Sequence, residues 1–87
     1  LALEEAENAL TAYDRERVRL RHLEAAATAA KEAETLARQR YQDGITDFLA
    51  VLDAQRVTLA AQNEIVISHT RVASAWIATH KALGGAP

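Results

Sequence analysis

The chain has no cysteine, one proline, three glycines and four aromatic residues among its 87 positions. Each scarcity excludes something. Without cysteine there is no disulfide, no thiolate metal site and no sulfur nucleophile. With glycine confined to Gly44, Gly84 and Gly85 and proline to Pro87, residues 2 to 42 contain no backbone breaker. Four aromatics (Tyr13, Tyr41, Phe48 and Trp76) are too few for the thick layers of a globular core. The net charge of −2 gives no basic face for nucleic acid. No apolar run approaches the roughly 20 residues needed to span a bilayer. Leu1 already lies inside a helix-forming pattern, so the chain reads as a segment of a longer protein with no signal peptide of its own.

What the chain does have is alanine, in runs at 25–27 and 29–30. Alanine is the best helix former, and its small side chain lets helices approach closely. Leu3, Ala6, Leu10, Tyr13, Leu20, Leu23, Ala27, Ala30 and Ala37 recur mostly at steps of three, four or seven, a helical period of coiled-coil type. Glu16, Arg17, Arg19 and Arg21 alternate in sign as on a solvated face. These features predict one helix over about 2–42, roughly 60 Å long at ~1.5 Å per residue. Gly44 then supplies the positive φ of a helix end, and a tip of about 43–46 follows. Thr46 or Asp47 can cap the next helix, expected over about 47–83, with a C-terminal cap at 84–87. Such a short connection makes the two helices antiparallel neighbours. The fold class is therefore all-α: an antiparallel helical hairpin, coiled-coil in character.

The two helices differ. Residues 1–42 carry 15 charged side chains and residues 46–83 carry six. Phe48, Leu49, Val51, Leu52, Val57, Leu59, Ile65, Val66, Ile67, Val72, Trp76, Ile77 and Leu83 spread around much of the second helix. One antiparallel partner covers only one stripe, so this helix calls for neighbours on two sides, in a larger bundle or barrel. It lacks the dense Lys/Arg face of a membrane-surface helix, so packing against helices is the better reading.

Catalytic patterns are missing. His69 and His80 are 11 residues apart with no carboxylate at i+3 or i+4 to complete a metal set. His80 follows Trp76 by four residues, which suits a stacking contact. The serines and threonines have no helical His–Asp arrangement around them. Glu32 and Glu34 point to different faces, and there is no phosphate-binding glycine loop. No catalysis, cofactor or metal is expected.

The segment Arg40-Tyr41-Gln42-Asp43-Gly44-Ile45-Thr46-Asp47-Phe48-Leu49-Ala50-Val51-Leu52-Asp53-Ala54-Gln55-Arg56 resembles the periplasmic tip of outer-membrane efflux proteins, the trimeric exit ducts of bacterial drug and metal efflux pumps. The likeness continues through Leu59-Ala60-Ala61-Gln62-Asn63-Glu64 and closes at Lys81-Ala82-Leu83-Gly84-Gly85. It covers essentially the whole chain. Residues 40–56 with 81–85 are specific together, whereas the alanine-rich part before them would match many coiled coils. In that family each subunit contributes two hairpins, and three subunits build a twelve-helix tunnel across the periplasm. The resemblance implies that this chain is the second hairpin of such a duct.

The resemblance also implies roles. Arg40, Tyr41, Gly44 and Ile45 match the positions where the duct meets the α-helical hairpin of the periplasmic adaptor, which joins it to an inner-membrane pump. The blander reading makes Gly44 only a turn and Ile45 only a cover for the hairpin end. Asp53 matches an acidic ring at the closed aperture, where three converging carboxylates would repel one another and favour cations. The blander reading pairs Asp53 with Arg56 on the helix surface. Some members carry a second acidic residue where this chain has Ala50, so one ring is expected. His80 stands where many members have tyrosine, and Ala86-Pro87 replaces the usual aromatic after the glycines.

The expected function is thus a passive one: part of a conducting tunnel whose tip closes at rest and opens when adaptor and pump engage. Two other classes compete. A generic coiled-coil interaction module would bind through its apolar stripe and tolerate change at Ile45. An enzyme fragment or cofactor bundle would retain a metal or cofactor through purification. The uncovered apolar side of the second helix further predicts that the isolated hairpin self-associates, as paired hairpins in a four-helix bundle.

Overall fold

The computed structural model describes residues 2–84 and consists of two helices, α1 (Ala2–Gln42) and α2 (Phe48–Gly84). No strand occurs among the described residues. Helix α2 starts one residue later than the sequence suggests and runs on through Gly84; the rest of the expected cap, residues 85–87, lies outside the described residues. A one-residue difference at a helix end is ordinary. Two units pack separately: a tip unit of His22–Ile65, and a terminal unit built from residues up to Arg21 together with residues from Val66 onward.

In the tip unit the two helix segments meet along Leu23, Ala27, Ala30, Glu34 and Ala37 of α1 and Val51, Ala54, Thr58, Ala61 and Ile65 of α2, all buried or half-buried. The alternating three- and four-residue steps are those of an antiparallel coiled-coil seam. Its register is pinned by the Thr58 hydroxyl, which lies 3.2 Å from the Ala30 carbonyl oxygen across the seam and 3.1 Å from that of Ala54 in its own helix. A side chain as short as threonine reaches the opposite backbone only because Ala30 lets the helices come close.

The terminal unit repeats the pattern with Ala6, Ala9, Tyr13, Glu16 and Leu20 against Ser68, Val72, Ala75, Thr79 and Ala82. Leu3 and Leu10, expected on the stripe, are instead 73% and 49% exposed. Ala9, Glu16 and Glu34 fill seam positions that the apolar pattern left out. Glu34 is tolerated there because Arg38 donates to its carboxylate at 2.9 Å and the Lys31 ammonium lies 3.8 Å away.

The seam is thin in apolar surface. The buried hydrophobic residues are Ala6, Ala30 and Val51, while Glu34, Thr58, Ser68 and Thr79 are buried polar ones. Burying a methyl-sized group contributes only about 0.8 kcal/mol, so each small layer adds little. The large side chains Phe48, Leu49, Leu52, Leu59, Val66, Trp76, Ile77 and Leu83 are 45–70% exposed. The hairpin therefore closes mostly on small residues, with Tyr13, Leu20, Leu23, Val51, Ile65 and Val72 among them, and leaves many of its large side chains exposed.

Candidate functional site

The tip is built by local chemistry. Gly44 has φ of 74°, the left-handed conformation that a side chain opposes. Its N–H donates to the Tyr41 carbonyl at 3.1 Å, the Ile45 N–H donates to the Arg40 carbonyl at 2.8 Å, and the Asp43 N–H to that of Gln39 at 3.0 Å. The first two are the paired bonds of a Schellman motif, with Gly44 as the residue just past the helix end. They satisfy carbonyls that the end of α1 would otherwise leave orphaned. On the far side, the Asp47 carboxylate accepts from the Ala50 N–H at 3.3 Å, the geometry of an N-cap. Thr46, the other candidate cap, is a half-buried turn residue beside Ile45.

Arg40, Tyr41, Gly44 and Ile45 all lie within the tip unit, but their side chains divide between two faces. Ile45, 71% exposed, stands with Arg40 at the edge of an open cavity of about 330 Å³. Ala33, Ala37 and Ala50 line it beside Leu36 and Thr46. Tyr41 belongs to a second cavity of about 260 Å³, with Arg38, Phe48, Val51 and Gln55. There its ring packs on Phe48 at 5.2 Å between centroids, tilted by 56°. Each alanine removes side-chain volume that a larger residue would fill, so the Arg40/Ile45 face is an apolar hollow with one cation at its rim. Phe48, Leu36 and the lining alanines are contributors that the motif alone did not single out. The signal was their helical spacing: Ala33, Ala37 and Arg40 follow one another at steps of four and three.

Asp53 sits apart from both cavities. Its carboxylate accepts from the Arg56 guanidinium at 2.9 Å, with both side chains largely exposed. In the terminal unit, the His80 and Trp76 rings lie 4.0 Å apart at 48°, the i,i+4 contact that their spacing implies. Among the described residues no group of three His, Cys, Asp or Glu side chains could hold a metal ion.

The family model described as outer membrane efflux protein matches residues 1–85. The outer membrane protein OprJ of Pseudomonas aeruginosa is 34% identical over 84 residues, 97% of this chain and 18% of that protein. The toluene efflux pump outer membrane protein TtgF and the probable efflux pump outer membrane protein SepC, both of Pseudomonas putida, are each 46% identical over 50 residues, covering 58% of this chain and 10% of theirs. The chain thus spans a tenth to a fifth of the length of these relatives. No solved structure matches it. No helix among the described residues is long and apolar enough to cross a membrane. The chain belongs to the outer membrane efflux protein family, of which it is a helical segment.

Proposed function

We propose that this hairpin is one wall element of the periplasmic tunnel of a trimeric efflux duct, and that its tip docks the periplasmic adaptor that links the duct to an inner-membrane pump. The observation that carries the reading is the construction of the tip. A glycine-dependent Schellman turn holds Ile45 out in solvent at 71% exposure beside an alanine-lined hollow rimmed by Arg40. A hairpin end needed only for reversal has no reason to present an apolar knob and an apolar hollow together. The outward large side chains of α2 support lateral packing against other hairpins of the duct, because the hairpin's own seam leaves them uncovered.

In this reading Arg40 and Ile45 form the adaptor-facing surface, Gly44 fixes its shape, and Tyr41 braces the opposite face through Phe48. Asp53 contributes one carboxylate to an acidic ring at the aperture. Docking opens the tip; transport itself is passive and no bond is made or broken.

The test is Ile45→Asp in the full-length parent, scored by adaptor co-purification and by cellular efflux. The expected result is loss of both, with the trimer still assembled. Undiminished adaptor capture would refute docking at this face. Asp53 is tested separately by Asp53→Asn in a planar bilayer, where the expected result is weaker cation selectivity of the closed-state current; unchanged selectivity would remove the acidic ring.

A further inference from the structure

Two buried polar atoms of the terminal unit have no hydrogen-bond partner in the protein: the Ser68 hydroxyl and the Oε2 oxygen of Glu16. Ser68 is 1% exposed, the most enclosed of the buried residues. Both stand on the seam of that unit. In antiparallel order Ser68 shares a layer with Leu20, and Glu16 shares one with Val72. The two unpaired groups thus fall in consecutive layers and come from opposite helices. The tip unit treats its buried polar groups differently. The Thr58 hydroxyl reaches the carbonyl oxygens of Ala30 and Ala54, and the Glu34 carboxylate accepts from Arg38 with Lys31 beside it. A short hydroxyl within a helix can donate to the carbonyl four residues back, as Thr11, Thr28, Thr35, Thr70 and Thr79 all do. The Ser68 hydroxyl does not.

We propose that the terminal unit is an opening section of the hairpin: its two helix segments part there, locally and reversibly, while the tip unit stays closed, and Glu16 and Ser68 set how readily this happens. Closing the seam strips water from both groups and gives them no partner in return. Parting the helices restores their hydrogen bonds to water. Leaving one buried polar group unpaired is enough to shift such an equilibrium by about tenfold. Packing opposes the shift only weakly. Tyr13, Leu20 and Val72 are the larger seam residues of this unit; Ala6, Ala9, Ala75, Thr79 and Ala82 are small, and small groups bury little apolar area. Thr79 adds no bond across the seam with its hydroxyl hydrogen, which goes to the Ala75 carbonyl of its own helix at 2.8 Å.

Proteins open in contiguous cooperative units well before they unfold as a whole, and the weakest unit opens first. Here the division is built into the seam. The tip unit is pinned by a hydroxyl that bonds across it, whereas the terminal unit closes over two polar groups that bond to nothing. The tip therefore keeps the shape of its turn and of its alanine hollow while the section made from the other halves of the two helices yields. This concerns how one hairpin closes on itself, and it stands whether or not the tip docks an adaptor.

The experiment is amide hydrogen exchange of the full-length parent, read by mass spectrometry on peptides from 2–21 and 66–84 against peptides from 22–65. The terminal peptides are expected to exchange together and faster than the tip peptides. Ser68→Ala is expected to slow the terminal peptides by about tenfold and to leave the tip peptides unchanged. Ser74→Ala, at an exposed serine of the same helix, measures what the helix propensity of alanine contributes alone and is expected to slow them by about two- to threefold at most. Glu16→Met, of similar length and without an oxygen to satisfy, is expected to act in the same direction as Ser68→Ala. Thr58→Ala removes a bonded hydroxyl and is expected to speed exchange in the tip peptides instead. Terminal peptides no faster than tip peptides, Ser68→Ala no slower than Ser74→Ala, Glu16→Met that speeds exchange, or equal slowing of both units would each overturn the proposal.

Discussion

Gly44→Ala isolates the conformational demand of the tip from every other contribution. The residue holds φ of 74°, and a Cβ built on it would have nothing within 4 Å. There is no clash to confuse the result: the whole cost is that of placing an L-residue in the left-handed region, about 1–2 kcal/mol. Alanine also narrows the unfolded ensemble, which returns about 0.4–1 kcal/mol. The net expectation is a loss of about 1 kcal/mol, or ~4–8 °C in Tm for a chain of this size, measured by circular dichroism at fixed chain concentration because association shifts Tm. Gly44→Asn should lose less than Gly44→Ala, since asparagine tolerates the left-handed region better. Gly84→Ala provides the opposite sign. Gly84 lies in α2 without a positive φ and also has open space around its Cβ, so alanine there should be neutral or stabilising by a few tenths of a kcal/mol. If Gly44→Ala leaves Tm unchanged, or if asparagine is worse than alanine, the turn is not held by the backbone conformation argued here.

Other substitutions probe the remaining parts. Asp47→Ala removes the carboxylate that accepts from Ala50 and should cost about 1 kcal/mol by chemical denaturation, whereas Thr46→Ala should cost less than half of that. Ala30→Leu forces a large side chain into the seam where Thr58 reaches the opposite carbonyl and should destabilise by about 1–3 kcal/mol. Arg56→Ala breaks the exposed ion pair with Asp53 and should change stability by less than about 0.5 kcal/mol; a larger loss in a urea titration would show that Asp53 is held for the fold.

The parts legible in the sequence are those whose causes are local. An alanine-rich run with three- and four-residue periodicity and no glycine or proline favours helix, and Gly44 is the one interior glycine at which such a helix can end and reverse. The cap is readable to within one residue, Thr46 or Asp47, since a cap acts within three residues. The seam is harder to read. Leu3, Ala6, Leu10 and Tyr13 all look like stripe residues, yet the helices close on Ala6 and Tyr13 together with Ala9 and leave Leu3 and Leu10 exposed. Which of two overlapping stripes faces the partner is decided by how closely the backbones can approach, and alanine wins that comparison despite its smaller transfer free energy. Glu34 escapes a hydrophobic reading altogether, because its place in the seam depends on Arg38 and Lys31 meeting its carboxylate. The two-faced tip was also hidden. The motif gives Arg40, Tyr41, Gly44 and Ile45 as one string, and only the path of the turn sends Tyr41 toward Phe48 and Ile45 toward the alanine hollow. A segment of this kind carries its lateral partners as exposed leucine, valine and tryptophan rather than as a core of its own, which is why its family is legible from the tip and its assembly is not.

The most direct test of adaptor docking is photocrosslinking in cells from a photoreactive residue placed at Ile45 of the full-length parent, with Asp53 as a second site away from the hollow. The expected result is a crosslink from position 45 to a periplasmic adaptor and a different pattern from position 53. Crosslinks from position 45 only to other copies of the duct, or none, would contradict it and leave Gly44 as a plain reversal of the chain.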